Sequence, residues 1–296
     1  MIPEHGILNL LKPPGMTSHD AVSFVRRTLK TKRVGHTGTL DPAAAGVLPI
    51  CVGLATRLVE DLTATRKKYL CEATFGFQTD TLDQCGQTVK TCDASALSRA
   101  QIEAVLDSFR GEIWQTPPMF SAIKIGGKKL YELAREGQQI EIPARQITVF
   151  RLEIARFEEG ETPRATIEIE CSSGTYIRSL VRDIGEKVGF CATMTSLLRT
   201  QSGHFLLENA QTPEEFAQNP ALFPLEKSFA LCGFSLVKND DWASQLAQGK
   251  SVSGAIFETP TRVVVGDEAG TLYALCEPDS RRAGFWKPAK VFDLRK

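Results

Sequence analysis

The stretch Gly35–Pro49 reads GHTGTLDPAAAGVLP and gathers one His, one Asp, two Thr and three Gly around a single acidic side chain. Gly35 and Gly38 allow positive φ or a close approach of backbone to a ligand. Asp41 precedes Pro42, whose ring drives the residue before it out of the helical region. The carboxylate therefore hangs from a loop held by its backbone, not from a helix face. Two local readings stand side by side: an Asx-turn that satisfies its own loop, and a nucleophile or base presented for chemistry.

Upstream, residues 7–11 (ILNLL) predict a short buried strand broken by Lys12-Pro13-Pro14-Gly15. Thr17 and Asp20 have the spacing of a capping box, so a helix is expected through Leu29 with Ala21, Val22, Val25 and Leu29 on one face. Downstream, Val47–Val52 is β-branched and apolar, Thr56–Leu62 predicts a short helix, and Tyr69–Phe77 alternates like a strand. Thr79–Asp83 (TDTLD) is a polar turn. Ser98 and Gln101 cap a helix through Arg110 with Ile102, Val105, Leu106 and Phe109 as its apolar stripe. The segment 115–140 is stiff and aromatic at first, then Lys- and Gly-containing, with a short helix over Leu130–Glu136 closed by Gly137. Strands are expected at Gln146–Phe157 and Ala165–Cys171, a helix through Val188 ended by Gly189, and a helix start at Thr212-Pro213-Glu214-Glu215. Near residue 233 the texture changes to a helix over Asp241–Gln248 and strands at Thr261–Val265, Thr271–Cys276 and Pro288–Phe292.

A length of 296 residues with 42% hydrophobic and 24% charged content fits two globular domains, α+β in class. No run of 18 apolar residues predicts a membrane span, and the N-terminus reads as a strand, not a signal peptide. Eight cysteines without C-x-x-C or Cys/His spacing predict free buried thiols in a reducing cytoplasm and no metal site. Net charge is zero, yet residues 1–70 hold ten Lys/Arg against five acids, on both sides of the Gly35–Pro49 loop. Such a cluster either solvates helix faces or provides a field for a phosphate-bearing ligand. Rossmann and P-loop signatures are missing, which argues against a small-molecule enzyme built on either.

Six motifs in order resemble the bacterial TruB family of tRNA pseudouridine-55 synthases. Lys12-Pro13-Pro14-Gly15-Met16-Thr17-Ser18 is similar to its opening KPxGxTS. Gly35–Pro42 is its GHTGTLDP, and Lys68-Tyr69 with Thr79–Asp83 fits its KxY and TDTxD region. Pro117–Lys124 with Tyr131–Arg135 resembles PPxYSAxK and YxxAR; Gly174–Arg178 is GTYIR; Leu197–Arg199 with Gly203 and Phe205 fits LxRxxxGxF. Ala43 and Ala45 depart from the family's DPLATG, and Phe120 replaces the usual Tyr, removing a phenolic hydrogen bond.

The resemblance implies a pseudouridine synthase fold: a central mixed, largely antiparallel sheet with flanking helices over 1–232, a thumb-like RNA-contacting insertion at 115–140, and a small β-rich PUA-like domain over 233–296. It implies isomerisation of uridine 55 in the T loop of tRNA, with the nucleotide flipped out and no cofactor. Asp41 is then the nucleophile, with attack on the sugar, attack on the base and a glycal route all left open. Arg178 pairs with Asp41 and holds it ionised. Tyr69 lies on the base and serves proton transfer; Tyr176 and Leu197 wall the pocket; His36 holds the flipped nucleotide; Asp83 makes a polar contact to His36 or RNA; Lys12 contacts substrate. The implied partner is the tRNA T stem-loop, bound by a cytoplasmic monomer. A non-catalytic RNA binder or RNA chaperone on the same fold is the rival, and an intact Asp41, Tyr69 and Arg178 argue against it.

Overall fold

Arg164–Cys171 turns Ala165, Ile167, Ile169 and Cys171 inward and leaves Thr166, Glu168 and Glu170 at least partly open to solvent. That period of two builds the sheet around it. The computed structural model describes residues 4–121, 123–136, 140–253 and 262–295. Its large sheet has ten strands; the main path runs Phe223–Pro224, Gly6–Lys12, Ala45–Val52, Ala192–Ser202, Lys67–Phe75, Arg164–Cys171, Arg145–Glu158 and Gly111–Gln115. Val34–His36 and Phe205–Leu206 attach to its sides. All pairs are antiparallel except Ala45–Val52 with Ala192–Ser202, which meet in parallel at Leu198↔Ala45 and Arg199↔Gly46. The architecture is the mixed, largely antiparallel α+β arrangement expected.

One face of the sheet carries three of the helices. Ser18–Thr28, Arg99–Leu106 and Ile177–Val188 bury Val22, Val25, Ile102, Leu106, Leu180 and Ile184 in one core with Phe75, Leu152, Ile167 and Leu197. The three capping boxes at Thr17/Asp20, Ser98/Gln101 and Thr212/Glu215 are all made. Each satisfies orphan N–H groups of its first turn and fixes where the helix starts.

Several elements differ from expectation. The strand Ala192–Ser202 sits at the centre of the sheet although its sequence, ATMTSLLRTQS, shows no clean alternation. Register shifts at Met194/Ser196 and Arg199/Gln201 change which side chains face inward, so the period of two is lost. The strand expected over Tyr69–Phe77 runs Lys67–Phe75 and stops at Gly76, whose φ is +112°. Phe77–Thr79 then pairs with Thr88–Thr91 in a separate ribbon. Thr56–Leu62 is a 3₁₀ turn over Gly53–Leu58 followed by a short α-helix, Val59–Thr63. All eight thiols are free, but Cys85 is exposed and Cys92 and Cys232 are half-buried, because they lie in turns and at a helix end instead of in strands. Gly137 and Thr261 lie outside the described residues. Among the described residues no helix is long and apolar enough to cross a membrane.

The C-terminal part forms its own five-stranded sheet in the order Ser235–Lys238, Val263–Gly266, Leu272–Pro278, Phe285–Asp293, Val252–Ser253. It packs on the large sheet through a joint core. Ile7, Val47, Cys51 and Leu58 meet Phe229, Val264, Tyr273, Leu275 and Phe292 there. Phe229 packs edge-on to Phe292 at 5.2 Å. At its rim Asp61 binds both Arg262 and Lys290, the latter at 2.8 Å.

The parallel contact at Gly46 is what brings Ala192–Ser202 against the Gly35–Pro49 loop. Gly46 has φ +117°, and a Cβ there would stand 2.2 Å from the Arg199 carbonyl oxygen and 2.6 Å from its nitrogen. Gly46→Ala therefore has neither the conformation nor the space it needs. It is expected to cost on the order of 1–3 kcal/mol or more, read as a lower urea midpoint with unchanged slope; a midpoint equal to wild type would mean that the strands can part without cost.

Candidate active site

The loop that bears Asp41 is tied down residue by residue. Thr37 N–H donates to Pro49 O at 3.1 Å and Ala44 N–H to Asp41 O at 3.1 Å. Gly38 N–H donates to His36 Nδ1 at 3.3 Å. Leu40 is held from both sides by Ser18: its N–H donates to Ser18 Oγ at 2.9 Å, and that hydroxyl donates to Leu40 O at 3.1 Å. Pro42 O accepts from Gly15 N–H at 2.9 Å and from Lys12 Nζ at 3.3 Å. The residues flanking Asp41 are thus fixed by the Lys12–Ser18 segment, which explains why that segment lies where it does.

The carboxylate itself meets Arg178. Oδ2 lies 2.9 Å from Arg178 Nε and Oδ1 3.2 Å from Nη2, a two-point pair. Arg178 is 5% exposed, whereas the Asp41 side chain keeps 33% of its surface open. The remaining guanidinium donors go to Thr81 O at 2.9 Å and Phe120 O at 3.0 Å. Arg178 stands in the first turn of the helix Ile177–Val188, whose start is clamped by Gln115. The Gln115 amide accepts from Tyr176 N–H at 2.8 Å and donates to Tyr176 O at 3.0 Å. Phe120 contributes only its carbonyl here, so a Phe in place of Tyr leaves that contact intact.

Arg178 favours the ionised form of Asp41 through its charge and its hydrogen bond, but it does not act on the carboxyl alone. Burial pushes the Asp41 carboxyl above the ordinary carboxylate value; Arg178 pulls it down, Asp83 pushes it up again, and the net direction is upward. The cation is present, but desolvation outweighs it.

The other expected residues divide. Tyr69 sits on the central strand with Ile169 across one edge and Arg199 across the other. Burial raises its phenol pKa, and the neighbouring Arg199 cation works against the rise. Tyr176 is half-buried at the helix N-terminus beside Arg178, with its phenol also pushed up by burial. Leu197 is buried opposite Cys71 within the main core. His36 ends the strand Val34–His36; burial first, then Arg199 and His19, lower its pKa, so it is neutral with Nδ1 as acceptor. Asp83 does not reach His36. It lies 3.7 Å from Arg178 Nη1 and accepts from Thr81 Oγ1 at 2.7 Å and Cys85 N–H at 3.0 Å. Its turn is held with Leu82 at φ +62°, a rare state for a non-glycine residue. Lys12, expected against substrate, is instead completely buried. Its ammonium donates to Pro13 O, Met16 O and Pro42 O at 2.9, 2.7 and 3.3 Å, and desolvation lowers its pKa to about 8. Lys12 acts under the loop, not on its surface.

Arg199 had no role in the sequence reading beyond its place in the motif Leu197–Arg199. It is 1% exposed, donates from Nε to Val47 O at 2.7 Å and from Nη2 to Gly38 O at 3.2 Å, and stands opposite Tyr69 in the strand register. The only sequence signal was a charged residue directly after two leucines in that motif. Among the described residues no group of three His, Cys, Asp or Glu side chains is gathered as a metal would require.

A half-exposed carboxylate locked to a buried arginine, with two tyrosines beside it, is a site for covalent or acid–base chemistry on a ligand that enters from solvent. The fold that carries it is the pseudouridine synthase fold. One solved structure, the crystal structure of a Cbf5–Nop10–Gar1 complex, matches with a TM-score of 0.73 and 27% identity over 99% of this chain and 86% of that one. Another, an H/ACA RNP bound to a substrate RNA containing 2′-deoxyuridine, matches with a TM-score of 0.70 and 25% identity over 97% and 84%. Residues 26–177 match the TruB family pseudouridylate synthase N-terminal domain, and residues 178–224 the tRNA pseudouridylate synthase B C-terminal domain. The tRNA pseudouridine synthase B of Bacillus subtilis (strain 168) is 43% identical over 300 residues, 97% of each chain. That of Symbiobacterium thermophilum is 52% identical over 216 residues, 73% of this chain and 72% of the relative. The chain belongs to the TruB family and is a pseudouridine synthase, an RNA-modifying isomerase.

Because Arg178 lowers and burial raises the Asp41 pKa, removing the cation leaves the burial effect unopposed. Carboxyl-carbon NMR titration is expected to place Asp41 above the ordinary carboxylate value in the wild type, and higher again in Arg178→Met. A downward shift on removing Arg178 would overturn the assignment of the pair.

Proposed function

We propose that this chain converts uridine 55, in the T loop of tRNA, to pseudouridine, with Asp41 as the nucleophile. The observation that carries the reading is the two-point Asp41–Arg178 pair on a loop fixed from both sides, with one face of the carboxylate open. The similarity to relatives named tRNA pseudouridine synthase B supplies the substrate class.

In this reading the target nucleotide leaves its stack and enters the site beside Tyr69 and Tyr176. Asp41 must be ionised to act, and Arg178 keeps its carboxylate in one orientation. The N1–C1′ bond breaks with its electron pair leaving on the uracil ring. The ring turns, C5 bonds to C1′, the C5 proton is lost, and a proton returns to N1, so the product is an isomer of the substrate. Tyr69 lies on the base and moves the proton; Tyr176 and the apolar Leu197 wall the pocket; His36 holds the nucleotide near the loop. Asp83 acts through Arg178 and its own turn, and Lys12 through the loop it supports.

Residues 1–232 form the catalytic part in this reading. The hairpin Lys124–Ile125/Lys128–Lys129 with the helix Leu130–Arg135 belongs to a thumb over the RNA at 115–140. The five-stranded unit within 233–296 is a PUA-like RNA-binding domain, with Arg281, Arg282 and Lys287 exposed or half-exposed near one end. The protein works as a cytoplasmic monomer on one tRNA.

Unmodified tRNA transcript, incubated with wild type or Asp41→Asn and mapped by carbodiimide labelling and primer extension, tests the reaction. One modified uridine in the T loop, lost in the variant, is the expected result. An unmodified transcript with wild type, while tRNA binding persists, would leave only a non-catalytic RNA binder. Phosphate contacts make that binding salt-dependent. Arg281→Ala/Arg282→Ala is expected to reduce the slope of log K against log salt by about 1–2 and to spare the single-turnover rate at saturating tRNA.

A further inference from the structure

The helix that carries Arg178 starts differently from its neighbours. Ser18–Thr28, Arg99–Leu106, Pro213–Gln218 and Asp240–Ala247 each begin on a Thr, Ser or Asn whose side chain accepts from an N–H of the first turn. Ile177–Val188 begins on Tyr176, whose side chain makes no such bond. A cap needs a short polar side chain that folds back onto the first turn, and a phenol is not one. Gln115 supplies the hold from outside. Its amide accepts from Tyr176 N–H at 2.8 Å and donates to Tyr176 O at 3.0 Å, from 61 positions away in the chain. Gln115 is 2% exposed and ends the strand Gly111–Gln115. The residues just after it bind the same first turn: Thr116 O accepts from Ser179 Oγ at 2.8 Å, and Phe120 O from Arg178 Nη2 at 3.0 Å. A buried amide is costly unless its polar atoms are met, and here both are spent on the backbone of one residue. An apolar side chain of the same length would fill the space without fixing where the helix begins.

We propose that Gln115 is a positioning residue that caps this helix in place of the Tyr176 side chain, setting where the Arg178 guanidinium meets Asp41 and leaving the Tyr176 ring to the base pocket. This rests on the reaction proposed above. Gln115 touches neither substrate nor reacting atom in this assignment; it acts through Tyr176 and Arg178, two residues further on.

The test uses Gln115→Met, which keeps the length of the side chain and loses both hydrogen bonds. Asp41 is faced by Arg178, Asp83 and Lys12; Arg178 lowers its pKa, so a loosened Arg178 lets it rise. Carboxyl-carbon NMR titration is expected to place Asp41 of Gln115→Met between its values in wild type and in Arg178→Met. Adding Gln115→Met to Arg178→Met is expected to give no further rise, because the cation it acts through is already gone. The single-turnover rate at saturating tRNA transcript should fall about tenfold to a hundredfold, the cost of misplacement by about 1 Å. The tRNA Kd should stay within about twofold, since phosphate contacts elsewhere set affinity. Ser98→Ala uncaps a helix that bears no site residue; it is expected to lower the urea midpoint and to leave titration and rate unchanged. A wild-type Asp41 titration or a wild-type rate in Gln115→Met would overturn the assignment. So would an equal rise in the Arg178→Met background, or the same changes in Ser98→Ala. Gln115→Asn, an amide one carbon shorter, repeats the set if the methionine variant does not fold. If neither folds, exchange of the Tyr176 amide proton is read in wild type. Exchange as slow as the central strands supports the clamp, and exchange as fast as a frayed helix end overturns it. An inactive wild type defeats the reaction itself, whereas an active wild type with an unshifted Asp41 in Gln115→Met defeats only this role for Gln115.

Discussion

The Asp41–Arg178 pair joins residues 137 positions apart, and the active site takes its shape around it. Burying a guanidinium is costly unless its donors are satisfied. Here they are distributed among the Asp41 carboxylate, Thr81 O and Phe120 O. Each acceptor comes from a different segment: the Gly35–Pro49 loop, the Thr79–Asp83 turn, and the stretch after the strand Gly111–Gln115. One side chain therefore sets the relative positions of three loops. The helix that carries it is located by Gln115 on Tyr176 and by Ser179 Oγ, which donates to Thr116 O at 2.8 Å. The asymmetry of burial matters to function. Arg178 is enclosed, while Asp41 keeps an open face, the one that the proposed reaction needs.

A loop rich in glycine has little stiffness of its own, so its rigidity has to be imported. Lys12, Gly15 and Ser18 import it from the first strand and the first helix. The capping box that starts that helix fixes Ser18, and Ser18 fixes Leu40, one residue before Asp41. The chain from Thr17–Asp20 spacing to carboxylate position is thus local at every step. Lys12 extends the same logic: its ammonium gathers carbonyls from both sides, Pro13 O and Met16 O on its own segment and Pro42 O on the loop.

What could be read from the sequence follows from this. Amphipathic helices with capping boxes, and strands with clean alternation such as Arg164–Cys171, announce themselves because one periodicity and one cap determine them. Ala192–Ser202 did not, since two bulges interrupt its pattern and its central position is set by partners far along the chain. Asp41, Tyr69, Arg178 and Tyr176 were named through motifs, and the structure gathers Asp41, Arg178 and Tyr176 at one end of the sheet with Tyr69 near them. Their roles belong to the proposed reaction. Lys12 was placed against substrate by the resemblance alone; only the tertiary fold reveals that its ammonium is buried and turned to Pro42 O. The upward shift of Asp41 was equally hidden, since motif spacing records a neighbouring arginine but not the loss of water around the carboxylate.

The balance of charge around the loop carries the argument one step further. Lys12, Lys67 and Arg199 are all buried, and among the described residues none of the three forms an ion pair with a carboxylate; each is held by backbone carbonyls instead. Desolvation brings both lysines down to a pKa of about 8, so near neutral pH they remain largely protonated. Against them stand Asp41 and Asp83, which Arg178 already serves. These buried cations therefore outnumber the acids paired with them, in a region where little water can screen the charge. Fixed dipoles and charges of this kind need no reorganisation when negative charge develops beside them. In the proposed reaction such charge develops twice, on Asp41 when it acts as an anion and on the uracil ring as the N1–C1′ bond opens. In that proposed reaction the stability given up to bury these cations is recovered where the substrate becomes most anionic.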